Sequence, residues 1–189
     1  MVVGSGAGGA PVASALAEAG LGVVLLEAGD HLTRDDFTGD ETAMTARLWR
    51  ADLAADSAMA LYAGRCVGGS TVINDAVCLR TPPEVLDAWR TTHGLSAFTD
   101  TGFGHWLDRA WADLHAEATG PEHLNRNAQV LQRGAARLGW AAQATPRSVR
   151  DCANLGLCNL GCPSNAKQST LLTHVPRAVR AGARLLPNA

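Results

Sequence analysis

Three cysteines in the last quarter of the sequence have a spacing that suggests metal chemistry. Cys152, Cys158 and Cys162 lie in the stretch CANLGLCNLGCP and are separated as C-x5-C-x3-C. Thiolates are ligands for iron–sulfur clusters and for zinc, and a proline directly after a cysteine is typical of cluster loops. A structural zinc ion needs a fourth ligand, for which His174 is the nearby candidate. The third interpretation is ligand-free thiols, because cysteine also packs as a small hydrophobic residue.

A glycine-rich turn at the start of the chain predicts a dinucleotide site. The stretch VVGSGAGG contains G-x-G-x-x-G at Gly4, Gly6 and Gly9, between a short strand and a helix predicted over about 10–19. Gly4 permits the tight turn, Gly6 lets the backbone approach a pyrophosphate, and Gly9 lets the helix pack closely against the strand. A second apolar strand ends at Glu27, whose carboxylate can accept hydrogen bonds from an adenosine ribose and repels the 2′-phosphate of NADP. FAD and NAD both remain open at this point.

A second glycine-rich turn follows at 64–74, in the stretch GRCVGGSTVIN. Two adjacent glycines let backbone N–H groups approach another anionic or carbonyl group of an extended cofactor, and the following hydroxyls and the arginine add donors and positive charge. The candidate cofactor-binding residues of this segment are Arg65, Gly68, Gly69, Ser70, Thr71 and Asn74.

Together the two turns resemble the glucose–methanol–choline (GMC) family of FAD-dependent oxidoreductases. The family pattern is close to G-R-x-hydrophobic-G-G-[ST]-[ST]-x-hydrophobic-N, and the chain departs from its usual continuation at Cys78 and Thr81. The resemblance implies FAD as the cofactor and an alcohol or sugar as the substrate, with hydride passing from its CH–OH group to the flavin. It places the catalytic histidine of the family, with its histidine or asparagine partner, beyond residue 189. We therefore assign no catalytic residue within this chain.

The resemblance also bears on the cysteines. Some sugar dehydrogenases of the family carry a loop of the same spacing that holds a 3Fe–4S cluster and relays electrons to a haem subunit. The resemblance thus implies a 3Fe–4S cluster on Cys152, Cys158 and Cys162, with an electron-acceptor subunit as the partner. Zinc and ligand-free thiols stay open beside it.

Composition limits the other classes of function. The 189 residues are 47% hydrophobic and 18% charged with a net charge of −2, which is typical of a globular protein and argues against nucleic acid or an anionic membrane as a partner. No apolar run reaches transmembrane length, and no secretory signal is visible. The five cysteines are an odd number, which disfavours a secreted disulfide framework. We expect a cytoplasmic protein.

The fold expected from these elements is α/β. We predict part of a Rossmann-like FAD-binding domain over 1–189, with a parallel sheet, packed helices and a mostly helical insertion at about 81–150. In that insertion Trp89, Trp106 and Trp111 recur at helical spacing and are expected in its core. Only three residues precede the first glycine, and the final stretch GARLLPNA starts an apolar run and stops, so we expect a chain clipped at both ends. The alternative is a non-catalytic fragment or binding module.

Overall fold

The computed structural model describes residues 1–55, 58–98 and 100–189. The helices are α1 (Gly9–Glu18), α2 (Glu41–Leu48), α3 (Pro83–Thr92), α4 (Asp100–Asp113), α5 (Arg126–Arg137) and α6 (His174–Arg180). The strands are β1 (Val2–Val3), β2 (Val24–Glu27), β3 (Trp49–Leu53), β4 (Ala60–Gly64), β5 (Ala116–Glu117), β6 (Arg147–Ser148) and β7 (Arg184–Pro187). Short 3-10 helices lie at Arg34–Asp36, Gly69–Thr71 and Pro121–His123. The chain divides into two compact units, one of residues 1–76 and 149–189, the other of residues 77–148.

A parallel sheet of order β1-β2-β7 forms the centre of the first unit. Val2 pairs with Leu25, and Leu25 pairs in turn with Leu185. Leu25 is buried, as expected for a parallel sheet with helices packed on it. The predicted α/β fold with a parallel sheet and packed helices is confirmed.

Helices α1 and α6 pack against each other. Small residues on α1, including Ala13 and Ala17, are buried and allow a close approach to Val175 and Ala178 of α6. At the rim of this contact the Arg177 guanidinium makes two hydrogen bonds of 3.1 Å to the Glu18 carboxylate. The packing fixes the axis of α1 and hence the direction of its N-terminus.

Strands β3 and β4 form an antiparallel hairpin in the same unit. Alternation along the hairpin places Trp49, Leu53 and Tyr62 on one face, and Trp49 and Tyr62 meet edge to face at 6.3 Å between ring centroids. Beyond the hairpin, Gly64 leads into the second glycine-rich turn.

The second unit contains α3, α4, α5 and the short β5–β6 pair. Trp89 and Trp111 are half-buried there, Trp89 against Phe98 at 5.2 Å and Trp111 beneath the Arg80 guanidinium at 5.0 Å. The prediction that the tryptophans lie in a core is wrong for Trp106, which is 58% exposed beside the Arg109 guanidinium. Helical spacing alone did not tell which side of α4 is covered. That this unit is an insertion in an FAD-binding domain stays a prediction.

Candidate functional site

The first glycine-rich turn joins β1 to α1. The Gly4 N–H donates to the Leu26 carbonyl at 2.8 Å, and the Ala10 N–H donates to the Gly6 carbonyl at 3.1 Å. A Cβ on Gly9 would lie 1.9 Å from the Gly4 carbonyl oxygen, a distance that no side chain tolerates. The sequence therefore needs glycine at position 9 for the helix to begin directly against the turn.

The second glycine-rich turn lies directly against the first. A Cβ on Gly69 would come within 3.0 Å of the Gly6 Cα, whereas one on Gly6 would lie 3.8 Å from the Gly69 Cα. The backbone N–H of Gly68 donates to the Ser5 hydroxyl at 2.9 Å. Two segments about sixty residues apart thus bring their glycines together beside the N-terminus of α1.

Ser5 is the residue that couples this contact to the end of β2. Its hydroxyl donates to the Glu27 carboxylate at 2.6 Å, and its backbone N–H donates to the same oxygen at 3.0 Å. The other carboxylate oxygen accepts from the Gly29 N–H at 3.1 Å. Glu27 is therefore buried and oriented by three protein donors. Ser5 occupies the variable position between the first two glycines of the pattern, where only its hydrogen-bonding side chain marked it in the sequence.

Thr170 ties the two turns together from a third segment. Its hydroxyl lies 2.9 Å from the Ser5 carbonyl oxygen, and its backbone N–H donates to the Thr71 hydroxyl oxygen at 3.0 Å. The Thr71 hydroxyl in turn donates to the Gly68 carbonyl at 2.6 Å. Thr170 lies 165 residues from Ser5, and no local pattern predicted its role.

The remaining predicted residues hold the second turn or border a cavity. The Ser70 hydroxyl accepts from the Gly64 N–H at 2.9 Å, and the Asn74 side-chain oxygen accepts from the Ala76 N–H at 3.1 Å. The Arg65 guanidinium donates to the Ala28 carbonyl at 3.3 Å. Ser70 and Asn74 thus shape the backbone of the turn, while Arg65 reaches the loop after β2.

A cavity of about 330 Å³ lies at the carboxyl end of β2. It is bordered by Asp30, by Trp49 and by the arginines 47, 50 and 65. Arg47 is fixed there by ion pairs with Asp30 at 3.4 Å and with Asp36 at 3.2 Å. In open α/β sheets this end of the strands is where ligands bind.

The three cysteines of the C-x5-C-x3-C stretch belong to a loop whose thiols have local partners. The Cys152 thiol points to the Asn154 side-chain oxygen at 3.8 Å, and the Cys162 sulfur lies 3.4 Å from the Ser164 hydroxyl. In the described ranges 1–55, 58–98 and 100–189, no three His, Cys, Asp or Glu side chains form a group that can hold a metal ion. The structure does not assemble the thiols as ligands and gives the predicted 3Fe–4S cluster no support.

Burial raises the pKa of the Cys162 thiol, but hydrogen bonds to its sulfur from the Ser164 hydroxyl and from backbone N–H groups outweigh this effect. Among these, the Lys167 N–H donates to the sulfur at 3.5 Å. The pKa of Cys162 therefore lies below its ordinary value.

His174, the candidate fourth ligand for zinc, is buried on α6. Its Nδ1 lies 3.4 Å from the Ser14 hydroxyl of α1. This position joins the two helices, and the zinc interpretation gains no support.

Comparison with known proteins decides the family. The profile of the GMC oxidoreductase family matches residues 2–189. The chain belongs to the GMC oxidoreductase family. This confirms the resemblance that the two glycine-rich turns suggested.

Relatives of this GMC chain occur in bacteria and plants. An uncharacterized GMC-type oxidoreductase of Sinorhizobium fredii is 37% identical over 98% of the chain and 37% of its own length. Another, from Mycobacterium tuberculosis, is 40% identical over 98% of the chain and 30% of its own length. The long-chain-alcohol oxidase FAO4B of Arabidopsis thaliana is 34% identical over 98% of the chain and 25% of its own length. The GMC chain thus spans between a quarter and two fifths of these relatives.

A solved structure has the same fold. Pyridoxine 4-oxidase from Mesorbium loti superimposes with a TM-score of 0.65 at 17% identity, over 98% of the chain and 41% of that protein. In the part of the GMC chain that the structure describes, no helix is long and apolar enough to cross a membrane. The cytoplasmic location and the electron-acceptor subunit stay predictions.

Proposed function

We propose that this chain is the FAD-binding N-terminal part of an oxidoreductase that oxidises the CH–OH group of an alcohol or sugar. The observation that carries the proposal is the contact between Gly6 and Gly69 beside the N-terminus of α1. Membership of the GMC oxidoreductase family supports it.

The pyrophosphate of FAD fits the groups at the two turns. Among the described residues, no side chain caps the N-terminus of α1 at Gly8. The N–H groups and the positive end of the helix dipole there suit a phosphate. Gly6 keeps the backbone without a Cβ at the point where the pyrophosphate approaches, and Gly4 and Gly9 shape the turn. Gly68, Gly69, Ser70 and Thr71 supply the opposite side.

The adenosine half of FAD fits the end of β2. Glu27 is fixed by Ser5 and Gly29, and its Oε1, which among the described residues accepts only the Gly29 N–H, retains acceptor capacity for a ribose hydroxyl. Its negative charge disfavours a 2′-phosphate and thus NADP. The neighbouring cavity, with Trp49 and Arg65 on its border, has room for the adenine.

Bound FAD supplies the hydride acceptor, which no amino-acid side chain provides. The residues of this chain bind and orient the dinucleotide, and none of them is assigned to the proton transfer. The Arabidopsis relative named a long-chain-alcohol oxidase favours an alcohol over a sugar as the substrate. Without support for a cluster at the cysteine loop, we propose dioxygen or a diffusible acceptor for the electrons.

The test is anaerobic mixing of the FAD-loaded full-length oxidoreductase that includes this chain with a long-chain alcohol or with glucose. Bleaching of the oxidised flavin absorbance by the alcohol is the expected result. FAD binding without bleaching by any alcohol or sugar would favour the binding-module alternative. NAD in place of flavin in the denatured extract would contradict the proposal outright.

A further inference from the structure

A single lysine stands out in a chain that otherwise uses arginine for positive charge. Of the 16 Lys and Arg residues, only Lys167 is a lysine. It is also buried, with 3% of its surface exposed. Lysine is almost never fully buried unless its ammonium is paired or hydrogen-bonded, so this position needs a specific explanation.

Three backbone carbonyls converge on the Lys167 ammonium. The Nζ donates to the carbonyl oxygens of Val72, of Asn74 at 2.8 Å and of Cys158 at 2.6 Å. An ammonium has three N–H donors on one atom, so its donors match the three acceptors. A guanidinium spreads five donors over a rigid plane and does not direct three bonds from one point. The site therefore selects lysine over arginine.

Burial of the Lys167 ammonium is partly offset by neighbouring acidic groups. Burial lowers the pKa of Lys167 to about 8, while Cys158, Cys162, Asp75 and Cys66 oppose that shift. The three carbonyl oxygens are the direct hydrogen-bond partners of the ammonium. The contact therefore rests on the positions of these oxygens around Nζ.

The three carbonyls belong to two segments that meet at the cofactor site. Val72 and Asn74 form the exit of the second glycine-rich turn, and Cys158 belongs to the cysteine loop. That loop is itself anchored, because the Trp49 indole N–H donates to the Asn159 carbonyl at 3.0 Å. Three residues after Lys167, the Thr170 N–H binds Thr71 within the turn. The segment from 158 to 170 therefore holds the turn at its middle and at its exit.

We propose that Lys167 is a positioning residue of the cofactor site. Its ammonium fixes the exit of the second glycine-rich turn against the cysteine loop and thereby keeps Gly68 and Gly69 facing Gly6. The cysteine loop contributes through the Cys158 backbone carbonyl, not through a thiol. The inference rests on the proposed function only for the identity of the ligand, FAD.

The first test compares Lys167→Met and Lys167→Arg with Val23→Ala in the full chain. Val23 is buried directly before β2, at the end of the strand opposite Glu27, so its truncation is a control for lost stability alone. Loss of the ammonium leaves buried carbonyls unpaired, and FAD titrated by flavin fluorescence should bind about tenfold more weakly to both Lys167 variants. At a comparable drop in Tm, Val23→Ala should change the Kd by less than about threefold. Hydrogen exchange should accelerate at 68–76 and 152–163 in both Lys167 variants and not in Val23→Ala.

Equal FAD affinity in Lys167→Met and the wild type would overturn the inference, as would an equal loss in Val23→Ala. If the wild type binds no FAD, the proposed function fails, while hydrogen exchange still tests whether Lys167 holds the turn.

A second measurement needs no variant, because Lys167 is the only lysine. Mass spectrometry follows its acetylation by an amine reagent, with the N-terminal amine as an internal control. If FAD binds only when Lys167 holds the turn, bound FAD favours the state in which the Lys167 ammonium is buried. Acetylation of Lys167 should then slow about tenfold. An unchanged rate at saturating FAD would contradict the coupling.

Discussion

The Ser5 hydroxyl donates a hydrogen bond of 2.6 Å to the Glu27 carboxylate. The same hydroxyl oxygen accepts the Gly68 N–H, so one small side chain connects the first turn, the end of β2 and the second turn. Because Ser5 is fully buried, these hydrogen bonds do not compete with water. The acid proposed for the ribose is therefore oriented before any ligand arrives.

Ser5→Ala should destabilise the fold by about 1–3 kcal/mol, because it leaves the buried Gly68 N–H and part of the Glu27 carboxylate without a partner. Urea unfolding followed by circular dichroism measures the change. Ser96→Ala, at an exposed position, is the matched control and should stay within about 0.5 kcal/mol of the wild type. An unfolding midpoint of Ser5→Ala equal to that of the control would mean that the coupling contributes nothing.

Gly9→Ala and Gly8→Ala should differ sharply although the residues are neighbours. A Cβ at Gly9 would collide with the Gly4 carbonyl oxygen at 1.9 Å, whereas one at Gly8 meets nothing within 4 Å. We expect Gly9→Ala to lose several kcal/mol or to fail to fold, and Gly8→Ala to remain near the wild type. Thermal unfolding of the two variants decides this. Equal Tm values would refute the packing described for the first turn.

The elements that position the site follow local rules and were predictable. The helix expected over 10–19 is α1, and the apolar run ending at Glu27 is β2. The glycine spacing predicted the turn because each glycine meets a local steric demand. For such short-range features the pattern in the sequence and the structural cause coincide.

The contacts that complete the site were not predictable, because they join distant segments. Thr170 approaches Ser5 across 165 residues, and Lys167 reaches Val72 across 95. No periodicity marks such pairs. The same limit explains Trp106, whose helical spacing fits a core while the fold leaves its side of α4 exposed. The cysteine spacing was conspicuous in the sequence, yet the contact between its loop and Lys167 runs through the Cys158 carbonyl.

At alkaline pH, the free energy of unfolding should fall less in Cys66→Ala than in the wild type. Burial raises the pKa of the Cys66 thiol to about 12, so the unfolded chain releases this proton at lower pH than the folded chain. Stability contributed by the protonated thiol is present at neutral pH and declines once the pH exceeds the unfolded pKa of about 8.5. Relative to Cys66→Ala, the wild type should lose about 2 kcal/mol between pH 8 and pH 10.

Urea unfolding of both proteins at the two pH values measures this difference. Lys167 acts in the opposite direction, since folding lowers its pKa, but it is present in both proteins and its effect largely cancels in the comparison. Parallel pH profiles for the wild type and Cys66→Ala would show that the thiol ionises equally in both states.

The protein should purify without an iron–sulfur cluster at the cysteine loop. The sulfur atoms of Cys152 and Cys162 face Asn154 and Ser164, and no metal-binding group occurs among the residues that the structure describes. We expect neither iron nor acid-labile sulfide in the full chain purified anaerobically. Three irons per chain with matching sulfide, both lost on Cys158→Ser, would restore the cluster and the electron-acceptor subunit.

FAD titration of the wild type and Gly6→Ala tests the central claim most directly. A Cβ at Gly6 makes only ordinary contacts of 3.8 and 3.9 Å with the second turn, so the fold should keep its Tm. The same methyl group would stand where the proposed site brings the pyrophosphate to the backbone. The account predicts saturable quenching of flavin fluorescence by the wild type, and binding at least about tenfold weaker by a fully folded Gly6→Ala. Equal FAD affinity in both proteins, or none in the wild type, would contradict it.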